Sequence, residues 1–367
     1  MKEKELLYLL ALQKTKGIGT INAKKLISHI GSAAAVFTTK KSDLLRINGI
    51  GSFTVQNLND KLILAAAEKE AQHIIDKKVN YFSFLDTDYP EKLKHCIDGP
   101  LLLFSEGNIQ IKKQPIISIV GTRKMTSYGR SFIYNLIKEI AEYNPIIVSG
   151  FAYGVDITAH KVAMKYDLQT IAVLAHGLDH MYPKTHNKYV HQVVENGGFF
   201  TEYWHDEQAL RENFLQRNRV VAGLADAVII VESAAKGGSL VTATIANSYN
   251  RDVFAVPGRV TDTYSQGCNT LIRSNKAALL NSAKDLVYHL NWDEEKTKPK
   301  VIQRQLFIDL QGDEKTIYDY LMKNGNSLLD TISLETKIPI YKISGILVNL
   351  ELQGIVRPLP GKLFEVI

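Results

Sequence analysis

The sequence predicts an α/β protein with a parallel-sheet core, a small helical module before it and a compact helical unit after it. Three observations carry this. Short apolar runs alternate with helical stretches from about 81 to 290, the rhythm of strand–helix–strand crossovers. Two Gly-Ile-Gly turns punctuate the N-terminal region, each ahead of a helical pattern. A polar, charged stretch at 291–311 sets off the last ~55 residues as a unit of their own. The expected domains are therefore 1–78, 79–290 and 312–367, with 291–311 as linker.

The bulk numbers agree with a folded protein of roughly two or three domains. The chain has 367 residues, 45% apolar and 22% charged. No apolar run approaches the ~20 residues that span a bilayer. Met1-Lys2-Glu3-Lys4-Glu5 carries two acids, unlike the basic start of a signal peptide. The two cysteines, Cys96 and Cys268, offer neither a disulfide framework nor a zinc set. A cytoplasmic protein without membrane, metal or cofactor is expected. The net charge is +6, and it is all N-terminal: residues 1–80 hold 13 basic and 7 acidic residues, while the remainder balances. A nucleic-acid site in the middle of the chain must then rest on locally placed cations.

In chain order, residues 3–12 read as an amphipathic helix with Leu6, Leu7, Leu9 and Leu10 on its apolar side. Gly17-Ile18-Gly19 precedes a helix over 21–30, and Gly49-Ile50-Gly51 precedes one over 53–58. The pattern resembles a pair of helix-hairpin-helix motifs. Such turns can present helix N–H groups to a DNA phosphate, and they equally serve as tight turns between packed helices. Residues 116–120, 146–148, 170–174, 227–231 and 253–256 read as buried strands. Residues 128–142, 156–166, 187–196, 213–223 and 240–249 read as the helices between them. In the C-terminal unit, 314–323 and 328–336 are helices, Pro339 opens a third, and Gly354 closes it. Strands 355–358 and 363–366 flank Pro360-Gly361. Three helices and a hairpin make a winged helix.

In a parallel sheet the loops after the strands gather along one edge, where ligands bind. Those loops hold Gly121-Thr122-Arg123, Ser149-Gly150 running on to Asp156, and Gly238-Ser239. Glycine, serine and threonine at helix starts expose N–H groups and form a phosphate-binding surface. Arg123, Lys184 and Lys188 add full charges. Tyr128, Tyr153, Tyr182 and Tyr189 lie close in sequence. Cations along a groove with aromatic faces suit sequence-tolerant single-strand binding. Other polar residues read as scaffold. Asp156 and His160 stand one helical turn apart and can pair. Glu202, Arg217, Asn218, Arg219 and Glu232 can form a buried network that braces the loops.

The motifs match a known family. They include Tyr89-Pro90, Gly121-Thr122-Arg123, the run from Ser149 through Gly154 to Asp156, Gly177-Leu178-Asp179 with Tyr182-Pro183, Phe214 with Arg217-Asn218-Arg219, Gly238-Ser239-Leu240 and Pro257-Gly258. In their order and spacing over 81–290 the chain resembles the DNA-processing protein A family (DprA, also called Smf). The resemblance implies a Rossmann-like domain that binds single-stranded DNA and catalyses nothing. It implies protection of incoming strands in natural transformation, loading of RecA, and a homodimer through the Rossmann-like domains. The family's Gly-Thr-Arg arginine falls on Arg123. The lysine after Tyr-Pro falls on Lys184 or Lys188. The chain departs from the pattern at Ser274-Asn275-Lys276-Ala277, where many relatives have a glycine before the alanine.

Two rival functions fit less well. A nucleotide phosphoribohydrolase on a similar sheet needs a catalytic glutamate after its glycine-rich loop, and Gly237-Gly238-Ser239-Leu240-Val241-Thr242 has none. Gly121 is followed by no second glycine in reach, so the dinucleotide fingerprint is missing. A winged-helix transcription regulator needs polar groove-reading residues. The expected recognition helix has Lys342 as its only cation amid apolar residues.

Overall fold

The computed structural model describes residues 2–111, 114–293, 310–359 and 363–366. They pack as two compact units, Met1–Leu290 and Asn291–Ile367.

The first unit opens with six helices: α1 (Lys2–Lys14), α2 (Thr20–Ile30), α3 (Ala33–Thr38), α4 (Lys41–Leu44), α5 (Ser52–Asn57) and α6 (Lys61–Asp76). Leu6, Leu9 and Leu10 of α1 are buried, as their spacing predicts. Each Gly-Ile-Gly turn has one geometry. Its first glycine, Gly17 or Gly49, takes a positive φ, and its second, Gly19 or Gly51, is the extended N-cap of the next helix. The helices share one hydrophobic cluster with Leu101, Leu102, Phe104 and Trp204 of the following region. Polar bonds reinforce the seam: Trp204 Nε1 donates to Gln13 Oε1 at 3.0 Å, and Gln13 Nε2 to the Glu202 carbonyl at 2.6 Å.

Nine strands form one sheet: β1 (Asn80–Ser83), β2 (Leu102–Gly107), β3 (Ile116–Val120), β4 (Ile146–Ser149), β5 (Thr170–Val173), β6 (Gly197–Thr201), β7 (Ala227–Ile230), β8 (Asp252–Ala255) and β9 (Ala278–Leu279). Their order is β1-β2-β6-β5-β4-β3-β7-β8-β9. The seven strands from β6 to β9 are parallel, as the crossover rhythm predicts. The sheet as a whole is mixed, because β1 pairs with β2 and β2 with β6 antiparallel. This edge escapes the periodicity: β1 is four residues long and only half-buried.

The covering helices are α7 (Glu91–Lys94), α8 (Ser127–Ile140), α9 (Val155–Lys165), α10 (Val190–Glu195), α11 (Arg211–Leu224), α12 (Gly238–Ser248), α13 (Gln266–Arg273) and α14 (Ala283–His289). Helices α8, α9 and α14 pack side by side, and α11 packs beside α7 and α12. Alternate strand residues Ile116, Ile146, Val148, Ile171, Val173, Val228 and Ile230 share a buried cluster with Val220, Val221 and Leu224 of α11. The helix expected over 187–196 differs in its first half, which is a 3-10 helix, Lys184–Tyr189. That tighter turn carries His186 inward, where Nδ1 bonds the Phe151 carbonyl at 2.9 Å.

Strands β3 to β6 step outward in one direction, and β7 returns on the other side of β3. The chain thus reverses direction at β3. In open α/β sheets the crevice at such a point, beyond the strand C-termini, is where ligands bind.

The second unit holds α15 (Gly312–Asn324), α16 (Leu329–Thr336), α17 (Ile340–Leu352), β10 (Ser327–Leu328), β11 (Val356–Leu359) and β12 (Leu363–Val366). The strands pair in the order β10-β12-β11. Ile317, Leu321, Ile332, Ile343, Leu347 and Leu350 form its core. Pro339 is the N-cap of α17 and not its first turn. The Pro360-Gly361 turn and most of the expected linker, 294–309, lie outside the described residues. Among the described residues, no helix is long and apolar enough to cross a membrane.

Candidate nucleic-acid interface

The loop after β3 is clamped from both sides. Thr122 N–H donates to the Glu232 carbonyl at 2.7 Å, and the Thr122 carbonyl accepts from Val155 N–H at 3.2 Å. Gly121 is required here, since a Cβ would meet Val155 Cγ2 at 2.6 Å. The clamp leaves Arg123 exposed, with its guanidinium over the Phe214 ring at 4.9 Å. Tyr182 meets the same ring edge-on at 5.5 Å. One cation and two aromatic rings therefore stack at the mouth of a cleft.

That cleft has a volume of about 760 Å³. Gly121, Thr122, Arg123, Gly150, Tyr182, Gly238 and Ser239 all line it, as do Arg211, Phe214, Arg217 and Lys236. Helix α12 begins there at the N-cap Gly237 without a side-chain cap. Its first N–H groups remain for an acceptor. Nothing stands within 4 Å of where a Gly238 Cβ would project. The Ser239 hydroxyl faces inward and donates to Ser233 Oγ at 2.8 Å, so its backbone, not its side chain, serves the cleft.

A second hollow of about 600 Å³ adjoins, and Arg123 lines both. Lys124, Arg130, Lys161, Lys188, Tyr153 and Tyr189 line the second, with no carboxylate among the described residues there. Lys161 and Lys188 both lie over the Tyr189 ring, at 5.5 and 5.1 Å. Of the two lysines left open by sequence, Lys188 faces this hollow. Lys184 is exposed and lines neither. The balanced charge of the middle region conceals this local cluster.

Several expected placements differ. Ser149 is fully buried, and its hydroxyl donates to the Ile119 carbonyl at 2.6 Å, so it joins β4 to β3 and does not reach the cleft. Tyr128 lines neither hollow and donates to the Pro257 carbonyl at 2.7 Å. Asp156 and His160 do not pair. Asp156 accepts from Ala152 N–H at 3.3 Å, while His160 Nδ1 bonds Thr170 Oγ1 at 2.6 Å. The Thr170 hydroxyl is committed as donor to the Ile147 carbonyl, so His160 carries its proton on Nδ1. Burial, with help from His186 and Arg217, lowers the His160 pKa to about 3.

The expected single ionic network resolves into three separate devices. Arg217 is buried, and its guanidinium donates to the carbonyls of Gly150, at 2.5 Å, and Val173, joining the ends of β4 and β5. Its Nε donates to Asn218 Oδ1 at 3.3 Å. Burial draws the Arg217 pKa below the ordinary arginine value, with Asp156 opposing. Arg219 pairs with Glu202 and donates to the Asp98 carbonyl. Glu232 accepts from Thr126 N–H at 2.8 Å and from the Thr126 hydroxyl at 2.5 Å, bracing the start of α8. Arg217, Asn218 and Arg219 share α11, but the two arginines bond different partners, Gly150 and Val173 against Asp98 and Glu202, and Glu232 braces a third place beyond β7.

Sequence reasoning left out Arg130, Lys161, Arg211 and Lys236. They carry no motif, being single cations on exposed helix or loop positions. Their signal is positional: Arg130, Arg211 and Lys236 lie near the start of an element that follows a strand C-terminus, and Lys161 lies in the second half of α9. Phe214 stands in the quoted family motif without being counted as a contact residue.

The family described as DNA recombination-mediator protein A matches residues 80–291, and the DprA winged helix domain matches 308–362. The chain is 38% identical over 211 residues to the DNA processing protein DprA of Streptococcus pneumoniae, covering 58% of this chain and 74% of that protein. The X-ray structure of DprA from Streptococcus pneumoniae superposes with a TM-score of 0.65 at 30% identity, over 77% of this chain and 97% of that one. DNA processing protein A of Helicobacter pylori, solved for its single-stranded DNA binding mode, superposes with a TM-score of 0.53 at 30% identity, over 58% and 97%. With residues 80–291 and 308–362 both matched, the chain belongs to the DNA recombination-mediator protein A (DprA/Smf) family.

Proposed function

We propose that this protein binds single-stranded DNA along the two joined hollows, breaks no covalent bond in it, and hands it to RecA during recombination or natural transformation in the cytoplasm. The observation that carries the reading is the stack of Arg123, Phe214 and Tyr182 between a helix N-terminus and a basic hollow. Aromatic faces take unpaired bases, and cations take the phosphates beside them. Arg123 belongs to both hollows, so a strand crossing it can run from one into the other. A homodimer through the Rossmann-like domains would extend that path.

Enzymatic roles for the polar residues are disfavoured by what they already hold. Both oxygens of Glu232 are occupied by Thr126, and Glu232 is 3% exposed. His160 is fully buried. The test is competition binding: a labelled single-stranded oligonucleotide is displaced by unlabelled single-stranded or duplex DNA of equal length. Much stronger competition by the single strand supports the reading. Equal competition refutes it, as does release of free base from nucleoside monophosphates that is lost in Glu232→Ala.

A further inference from the structure

We propose that His73, Asp179 and His205 form a binding site for one divalent transition-metal ion of the zinc class, outside the nucleic-acid cleft. The three come from separate places: the last turns of α6, the loop after β5 and the segment after β6. One donor atom from each lies within 4.8 Å of the other two. The sequence hides the site because no short spacing connects these residues.

Glu70 gives the cluster its orientation. It sits one turn before His73 on α6 and is 3% exposed. Its carboxylate accepts from His205 N–H at 3.0 Å and takes the bond from His205 Nδ1. With Nδ1 facing the carboxylate, Nε2 is the ring nitrogen left to face a metal. A carboxylate behind the imidazole is the arrangement that orients metal-binding histidines. The neighbouring segments are also cross-linked. Asp179 N–H donates to the His205 carbonyl at 3.1 Å, and His180 Nε2 bonds the Asp206 carbonyl at 2.8 Å.

The donor set selects the ion. Two imidazole nitrogens and one carboxylate oxygen, with a water completing the shell, suit zinc, cobalt or nickel. Calcium and magnesium prefer oxygen shells. The His73 and His205 rings stack 3.7 Å apart and 14° from parallel. A metal lies in the plane of each imidazole it binds, so coordination opens these rings from parallel. Both are half-buried, and neither is enclosed on all sides. The ion would staple the N-terminal helical layer to the two segments that lead to Tyr182 and Ala209 at the cleft.

The experiment uses the full chain without an affinity tag, stripped with chelator and titrated with Co²⁺. The expected result is a saturable ligand-field absorption at one equivalent, displaced by Zn²⁺. His73→Ala and His205→Ala should each weaken binding about tenfold or more. His191→Ala, at an exposed histidine, should leave it unchanged. Circular dichroism and single-strand binding confirm that the variants fold. The proposal is overturned by the absence of saturable absorption in the parent, or by parent-like binding in either histidine variant.

Discussion

The Arg123 guanidinium lies over the face of Phe214, 4.9 Å from the ring centroid, and joins the two hollows at the sheet's C-terminal rim. The loop after β3 supplies the cation and α11 supplies the ring. Neither element alone makes a binding surface, so the crossing of β3 and α11 creates it.

Phe214→Ala removes a base-stacking face and the support beneath Arg123. Stacking on an aromatic ring is worth about 1–3 kcal/mol per base. Affinity for a single-stranded oligonucleotide should fall roughly 5- to 150-fold by fluorescence anisotropy. The ring is only half-buried, so the unfolding midpoint should shift little.

Two glycine substitutions separate folding from binding. A Cβ on Gly150 would collide with the Arg217 guanidinium, which is locked between two carbonyls. Gly150→Ala should cost about 1–3 kcal/mol of stability, read by urea denaturation. A Cβ on Gly238 meets nothing within 4 Å. Gly238→Ala should leave stability the same or raise it by up to about 1 kcal/mol. It should still weaken single-strand binding, because the methyl group stands where a phosphate would approach the helix N-terminus.

The second hollow predicts an effect of strand length. Lys161→Glu combined with Lys188→Glu should weaken long single strands while leaving the shortest bound strands nearly unaffected. Lys184→Glu, outside both hollows, should have the smaller effect. A series of oligonucleotide lengths titrated against each variant checks this.

Acid should destabilise the first unit through His160. Its pKa is about 3 when folded, against 6.5 for an ordinary histidine. Between these values the unfolded chain binds the proton and the folded chain does not. Stability is thus fully present above pH 6.5 and is lost as pH falls toward 3, by up to about 1.4 kcal/mol per pH unit. Denaturation at pH about 7 and about 5 should show the loss, and His160→Gln should reduce it. Equal pH slopes in the two proteins would contradict a neutral buried imidazole.

Five of the seven parallel strands were legible as short, mainly apolar runs between helical patterns, whereas Gly197–Thr201, which opens on two glycines, and the two-residue Ala278–Leu279 were not. Ile116–Val120 and Ile146–Ser149 are buried throughout. The antiparallel edge was not, since Asn80–Ser83 mixes polar and aromatic residues and gains its place by pairing with Leu102–Gly107. At the site, glycine motifs marked Gly121 and Gly150, where a Cβ would collide with a neighbour, and Gly238, which stands open at the start of α12. Ser149 was misplaced because alternation along β4 decides which way a strand-end side chain points, and its hydroxyl turns to β3. Lys161 and Arg130 carry no such constraint, so only the fold brings them together.

The most direct test of the rim as a grip on unpaired DNA is the salt dependence of single-strand binding by the parent and by Arg123→Glu. Each phosphate contact contributes about 0.7 to the slope of log affinity against log salt. The variant should bind at least about tenfold more weakly at low salt and show a shallower slope by about that amount. An unchanged affinity and slope, with the variant folded, would contradict the placement of the strand at this rim.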